Sequence, residues 1–108
     1  DSARRIVESG AADVFNIKLA KCGLVESLRI ARYVQKAKKK IMIGCMMESL
    51  LGLSASLHWA MGTGQFSFAD LDSALLLKPA PVKSGITNSG PVYRLNVSVP
   101  GFGSMAKF

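Results

Sequence analysis

Cysteine is nearly absent from this sequence. Cys22 and Cys45 are the only two, far apart and without CxxC or Cys/His spacing, which excludes a disulfide framework and a zinc site read from spacing and leads us to expect a reduced, cytoplasmic setting. Histidine is rarer still: His58 stands alone beside Trp59, mid-helix by its surroundings, and reads as a packed or surface residue rather than a catalytic one. A long apolar run is also missing. The longest nearly uncharged stretch, 41–65, is interrupted by Glu48, His58, several serines, Gly62 and Gly64, whereas a membrane span needs about 20 predominantly apolar residues. No basic-then-apolar leader opens the chain, so secretion is not expected. The first residue is Asp1 rather than Met, on a segment that reads as helix interior, and the start is expected to be a cut. Acidic residues are few, 7 against 14 Lys plus Arg, for a formal charge of +7. The basic excess concentrates at Lys36, Lys38, Lys39 and Lys40. Lysines at a helix C-terminus complement its dipole and no aromatics interleave them, so nucleic-acid binding is not expected. Gly101-Phe102-Gly103 is too short a pattern for a phosphate loop.

What is present is apolar. With 49% hydrophobic and 19% charged residues in 108, the chain has ample surface to bury and is one domain's worth at most. Ala3, Ile6 and Val7 predict a helix over Ser2 to Gly10, with Gly10 at its end. The run from Ala12 to Leu19 predicts a strand. Leu24, Val25, Leu28, Ala31 and Val34 make an apolar helical stripe opposite Glu26, Arg29, Lys36 and Lys40. A second strand is predicted at about Ile41 to Met46, a second helix at about Ser49 to Met61, and a third strand at Phe66 to Leu71. Strand and helix recur on the scale of a βαβ unit, about 30 residues, which implies a parallel sheet. Beyond Leu77, Lys78-Pro79-Ala80-Pro81 and Ser84-Gly85 break the pattern, and Val92 to Val99 alternate as one more strand before Pro100-Gly101. The division expected is 1–77 as three βα units and 78–108 as a capping or edge segment. Three βα units fit either a small doubly wound fold or, better, a piece of a larger (β/α) barrel.

Three places carry chemistry. Within Val14-Phe15-Asn16-Ile17-Lys18-Leu19, alternation puts Phe15, Ile17 and Leu19 on one face and Asn16 and Lys18 on the other. In a barrel Lys18 would then point inward near the carboxyl end of its strand, where barrel active sites are built. The plainer alternative is a lysine snorkelling to solvent. A lysine enclosed by apolar or cationic groups gives up its proton more readily, as a general base requires. Asp70 and Asp72, two apart, would project to one face. That spacing suits a divalent metal, an acid and base pair, or a grip on a cationic ligand group; alternatively Asp72 ends the strand and caps the turn before Ser73. In Ile43-Gly44-Cys45-Met46-Met47-Glu48-Ser49, Gly44 marks a point where a ligand or another backbone approaches closely. Met46 and Met47 read as core and Cys45 as a small buried hydrophobe, while Glu48 complements the next helix's N-terminus.

Taken in order, Asp13-Val14-Phe15-Asn16-Ile17-Lys18-Leu19-Ala20-Lys21-Cys22-Gly23, Met42-Ile43-Gly44-Cys45-Met46-Met47-Glu48-Ser49 and Asp70-Leu71-Asp72 resemble the last three barrel strands of the enolase superfamily. Within it they are most similar to the muconate-lactonizing subgroup and its dipeptide epimerases acting on Ala-Glu-type dipeptides. The tail from Ser84-Gly85-Ile86-Thr87 to Pro100-Gly101-Phe102-Gly103 resembles that family's closing segment, which would pack on a capping domain. The resemblance implies an α/β fold, about strands 6–8 of a (β/α) barrel, and a magnesium-dependent 1,1-proton transfer through an enediolate. One lysine removes the proton α to a carboxylate and another returns it. Lys18 matches the acid/base of the sixth strand. Asp70 and Asp72 match the pair that binds the dipeptide's ammonium, and Cys45 and Met46 would line the substrate pocket. Leu24 stands where the family commonly has a second glycine. The capping domain, the partner lysine and the three carboxylate ligands for Mg²⁺ have no counterpart here, so the expectation is the C-terminal portion of a longer isomerase, with a small dipeptide and the remaining N-terminal part as partners, no membrane, and a homo-oligomer left open. The nearest alternative is another member of the subgroup: an o-succinylbenzoate synthase, an N-acylamino acid racemase or a muconate cycloisomerase. A stand-alone basic α/β binding module is a more distant one.

Overall fold

The computed structural model describes residues 2–78, 82–96 and 98–106. Pro79, Ala80, Pro81 and Val97, to which breaker and strand roles were assigned from sequence, lie outside the described residues. In chain order the elements are α1 (Ser2–Ser9), β1 (Val14–Lys18), α2 (Leu19–Lys36), β2 (Lys40–Gly44), α3 (Leu50–Thr63), β3 (Phe68–Asp70), α4 (Ser73–Leu76), β4 (Val82–Lys83), β5 (Ile86–Ser89), β6 (Val92–Leu95) and β7 (Met105–Ala106).

The order of elements makes the sheet. β1, β2 and β3 lie side by side in that order, all parallel, because β1 and β2 are each followed by a helix long enough to return the chain to the same end. The alternation read from sequence holds: Phe15, Ile17, Ile41 and Ile43 are buried on one face. α2, which buries Ser27, Ala31 and Val34, and α3, which buries Leu53, Ser54, Ser56, Leu57 and Trp59, complete the core with that face. The other face carries Val14, Asn16 and Lys18 on β1, Met42 and Gly44 on β2, and Phe68 and Asp70 on β3, and no element among the described residues covers it, with Phe68 48% exposed. At its lower end the Lys40 ammonium lies 5.9 Å from the centre of the Phe68 ring, within the range of a cation–π contact.

Several sequence expectations are corrected. The helical stripe holds at Leu28, Ala31 and Val34 but not at its start: Leu24 and Val25 are exposed and Ser27 is buried, since a small residue lets the helix approach the sheet closely. α2 begins at Leu19, directly after Lys18, and is interrupted at Gly23 (φ 70°, ψ 171°), a backbone region essentially confined to glycine. Leu19 therefore leaves the strand face and joins a 440 Å³ apolar cavity between α2, α3 and Phe102. The third strand shortens to three residues. The tail contains a strand missed from sequence, β5, which forms an antiparallel hairpin with β6 around Gly90 in the left-handed region (φ 55°). Ile86 of this hairpin is buried in the core, with Tyr93 and Leu95 packed against it. Ser54 Oγ donates to the Phe102 carbonyl at 2.9 Å, and Ser104 Oγ and Ser54 Oγ bond at 2.9 Å, so the tail is fastened to α3.

Candidate functional site

The carboxyl ends of the three parallel strands form one row. Register pairs Lys18 with Gly44 and Gly44 with Asp70, so neighbouring residues of the row project from the same face of the sheet. Lys18 is half-buried and its ammonium donates to the Cys45 carbonyl at 2.6 Å, one strand away. The amine thus lies across β2 instead of extending away from the sheet.

Gly44 is what the amine crosses. A Cβ built there would fall 2.9 Å from Lys18 Nζ and from Asn16 Nδ2, and closer still to Asn16 Oδ1. The expectation of a ligand or a second backbone at this glycine is corrected: two side chains of β1 occupy the space that its missing side chain leaves. Asn16 was placed on the Lys18 face from sequence but was not recognised as sharing this notch, since the contact depends on the twist and register of two strands.

At the third strand the sequence reading is corrected in geometry. Asp70 ends β3, but Asp72 is helical in backbone (φ −85°, ψ −10°), so strand alternation does not carry through to it. Both are exposed. Asp72 occupies the position before α4 without a capping hydrogen bond from its side chain, which leaves its carboxylate for other partners. Cys45 Sγ approaches Asp72 Oδ1 at 3.7 Å, and the Cys45 N–H donates to the Asp70 carbonyl at 3.1 Å. Lys18, Cys45, Asp70 and Asp72 are therefore linked through the Cys45 main chain and thiol. Cys45 is buried as its size suggests. Met46 and Met47 are not core: they are 46% and 65% exposed, Met46 standing open beside Cys45. The Glu48 carboxylate accepts from the Met46 N–H at 2.9 Å rather than from the first turn of α3. The Glu48 main chain closes on Ser73, whose hydroxyl donates to the Glu48 carbonyl and accepts from its N–H, tying the loop after β2 to the one after β3.

Tyr93 was not singled out from sequence. Its hydroxyl donates to the Leu71 carbonyl at 2.8 Å, between the two aspartates. Burial pushes the phenol above its ordinary value, and the nearby Cys45 and Asp72 charges add to this. Only the alternation of Val92 to Val99 marked its strand, which in the structure is β6, Val92–Leu95; its reach to β3 depends on the hairpin. His58 is packed as expected, its Nδ1 2.7 Å from the Ser54 carbonyl and its ring edge-on to Phe102. Of the lysine cluster, Lys39 pairs with Asp13 at 2.8 Å and holds its carboxyl below the ordinary value.

Among the described residues no three His, Cys, Asp or Glu side chains come together to hold a metal ion. Asp70 and Asp72 with a thiol as third neighbour do not make the hard oxygen shell that magnesium takes. These residues therefore do not fit a magnesium cage by themselves. No helix among the described residues is long and apolar enough to cross a membrane.

Comparison with known proteins gives the setting of this row. The L-Ala-D/L-Glu epimerase of Thermotoga maritima is 44% identical over 91 residues, covering 84% of this chain and 26% of that protein. The mandelate racemase/muconate lactonizing enzyme structure from Roseiflexus superposes with a TM-score of 0.91 at 42% identity, over 97% of this chain and 30% of that one. A dipeptide epimerase from Methylococcus capsulatus, complexed with Mg and the dipeptide L-Arg-D-Lys, superposes with a TM-score of 0.85 at 33% identity, over 94% of this chain and 29% of that one. The chain thus spans under a third of the length of these relatives, and its three βα units correspond to the C-terminal portion of their fold. Residues 1–104 match the family described as enolase C-terminal domain-like, and the chain belongs to that family.

Proposed function

We propose that these residues are part of a dipeptide epimerase acting on Ala-Glu-type dipeptides, in which Lys18 is one of two acid/base residues. The observation that carries this reading is the row at the strand ends. The Lys18 amine is held on the Cys45 carbonyl, and Asp70 and Asp72 stand at and just beyond the end of β3, on the far side of β2. An amine at one side and two carboxylates at the other suit a substrate with a free ammonium at one end and an acidic C–H at the other. Lys18 exchanges a proton with the carbon α to the substrate carboxylate, and Asp70 and Asp72 hold the ammonium. Met46, open beside Cys45, contributes apolar wall. Residues 1–77 supply the end of the barrel and 78–108 the segment that closes on it and reaches the capping domain.

Magnesium, present in the Methylococcus capsulatus relative, would be held by carboxylates outside these 108 residues and would supply charge for the electron-rich intermediate. The second lysine comes from the same outside part, in the reduced interior of the cell.

The test uses the complete enzyme carrying these residues. With L-Ala-L-Glu and L-Ala-D-Glu in deuterated water, Lys18→Ala should abolish deuterium uptake at the α-carbon of at least one epimer. Undiminished uptake into both would overturn the assignment. A marked preference for N-acylated substrates over free dipeptides would move it to an N-acylamino acid racemase.

A further inference from the structure

We propose that Gly44 is a positioning residue for Lys18: its missing side chain is the notch through which the lysine amine crosses β2, so position 44 sets the aim of the acid/base. The proposal rests on the reading of Lys18 above, and adds to it a residue that touches neither substrate nor metal.

Gly44 is buried and ends β2, paired to Lys18 on one side and Asp70 on the other. It is not among the glycines of positive φ, so backbone freedom does not explain it, and glycine inside a strand costs stability relative to residues with side chains. Space explains it. The three atoms nearest to an added Cβ are Asn16 Oδ1, Asn16 Nδ2 and Lys18 Nζ, all at the far ends of two flexible side chains. The fold can therefore accept a methyl group at position 44 by swinging those two ends aside, away from the core face. Those ends are also where the chemistry lies. Displacing Lys18 Nζ breaks its 2.6 Å bond to the Cys45 carbonyl and re-aims the amine, and misplacement of a reacting group by about 1 Å can cost on the order of a hundredfold in rate. Asn16 fills the other half of the notch and limits the directions open to the amine.

The same geometry separates positioning from structure. A structural lesion would lower thermal stability and slow proton exchange from both epimers alike. A positioning lesion falls on the epimer whose proton Lys18 handles and spares exchange of the other, which the partner lysine serves.

In the complete enzyme, Gly44→Ala should leave the melting temperature within a few degrees of wild type and KM nearly unchanged. It should lower kcat by about tenfold to a hundredfold, with deuterium uptake lost selectively from the epimer that Lys18→Ala also silences. Wild-type uptake in Gly44→Ala, alongside loss in Lys18→Ala, overturns the role of Gly44 alone. Full uptake into both epimers in Lys18→Ala overturns the reading of Lys18 beneath it. Should Gly44→Ala fail to fold, the pair Asn16→Ala/Gly44→Ala removes the tightest contact and keeps the one with Lys18. This folded double variant is expected to show the same one-sided loss, whereas equal loss in both directions, or none beyond that of Asn16→Ala alone, overturns the proposal.

Discussion

Asp70 and Asp72 reach the strand ends by different routes, and the difference decides what each contributes. Asp70 closes β3 in register with Gly44, so its direction is set by the sheet. Asp72 lies beyond the strand, with its carboxylate near the Cys45 thiol, so its position follows from the loop held by Leu71. A charged hydrogen bond to a substrate ammonium contributes about 1.5–3 kcal/mol, or on the order of tenfold to a hundredfold in affinity. Asp70→Asn in the complete enzyme should therefore raise KM for a free dipeptide by that factor while leaving its kcat less changed. An N-blocked analogue, which brings no ammonium, should be indifferent to the substitution. Steady-state kinetics on the two substrates check it; equal losses on both would detach Asp70 from ammonium binding. At this scale the sequence was informative about identity and less so about geometry. Lys18, Asp70 and Asp72 stood out because charge at the end of a buried parallel strand is unusual. Gly44 was legible as a point of close approach, but the side chains that fill its notch and the reach of the Tyr93 hydroxyl were not, because each depends on a neighbour distant in sequence.

The elements that hold these residues are short, and their ends matter more than their middles. Strand spacing and helical period indicated β1, α2, β2 and α3 to within a few residues. The burial of α2 through Ser27 in place of Leu24 and Val25 was hidden, since hydrophobicity alone does not say which face must be thin. The β5–β6 hairpin was half hidden because breaker-rich sequence on either side of it resembles loop. Yet this hairpin sends Tyr93 to the Leu71 carbonyl and so braces the segment between the two aspartates. Removing its hydroxyl leaves that carbonyl without its donor, a loss of about 1 kcal/mol, so Tyr93→Phe should lower the stability of the complete enzyme slightly and raise KM more than it lowers kcat. The pH dependence has a definite sign. The folded phenol is held above its ordinary value by burial, so its contribution is complete below the unfolded value and is lost as pH rises through the raised one. Melting curves of the wild type should therefore fall in alkali by a component absent from Tyr93→Phe. Parallel curves for the two proteins across that range would show that the phenol is not the titrating group.

For the molecule as a whole, the question is what the uncovered face of the sheet demands. A compact monomer of 11.5 kDa exposes about 5,800 Å², whereas this chain exposes 7070 Å². Its radius of gyration is 14.6 Å, against about 13 Å for a globular domain of this length. The excess is apolar where it matters: Val14 and Phe68 lie open on the sheet face, and Leu75, Leu76 and Met105 elsewhere are more than half exposed. Among the described residues β1 and β3 each pair on one side only, which leaves two strand edges able to recruit another chain. In a barrel further strands would pair those edges and enclose the row of Lys18, Gly44 and Asp70, removing it from bulk water, where its charges act more strongly. Left open, that surface makes these 108 residues a poor solitary fold. Expressed alone, residues 1–108 should bind a hydrophobic dye, associate in a concentration-dependent way and melt over a broad range, while the complete enzyme binds no dye and unfolds cooperatively. A sharp, concentration-independent transition of a monomeric 108-residue chain without dye binding would mean that the open face is stable in water, and that closure by the rest of the barrel serves chemistry alone.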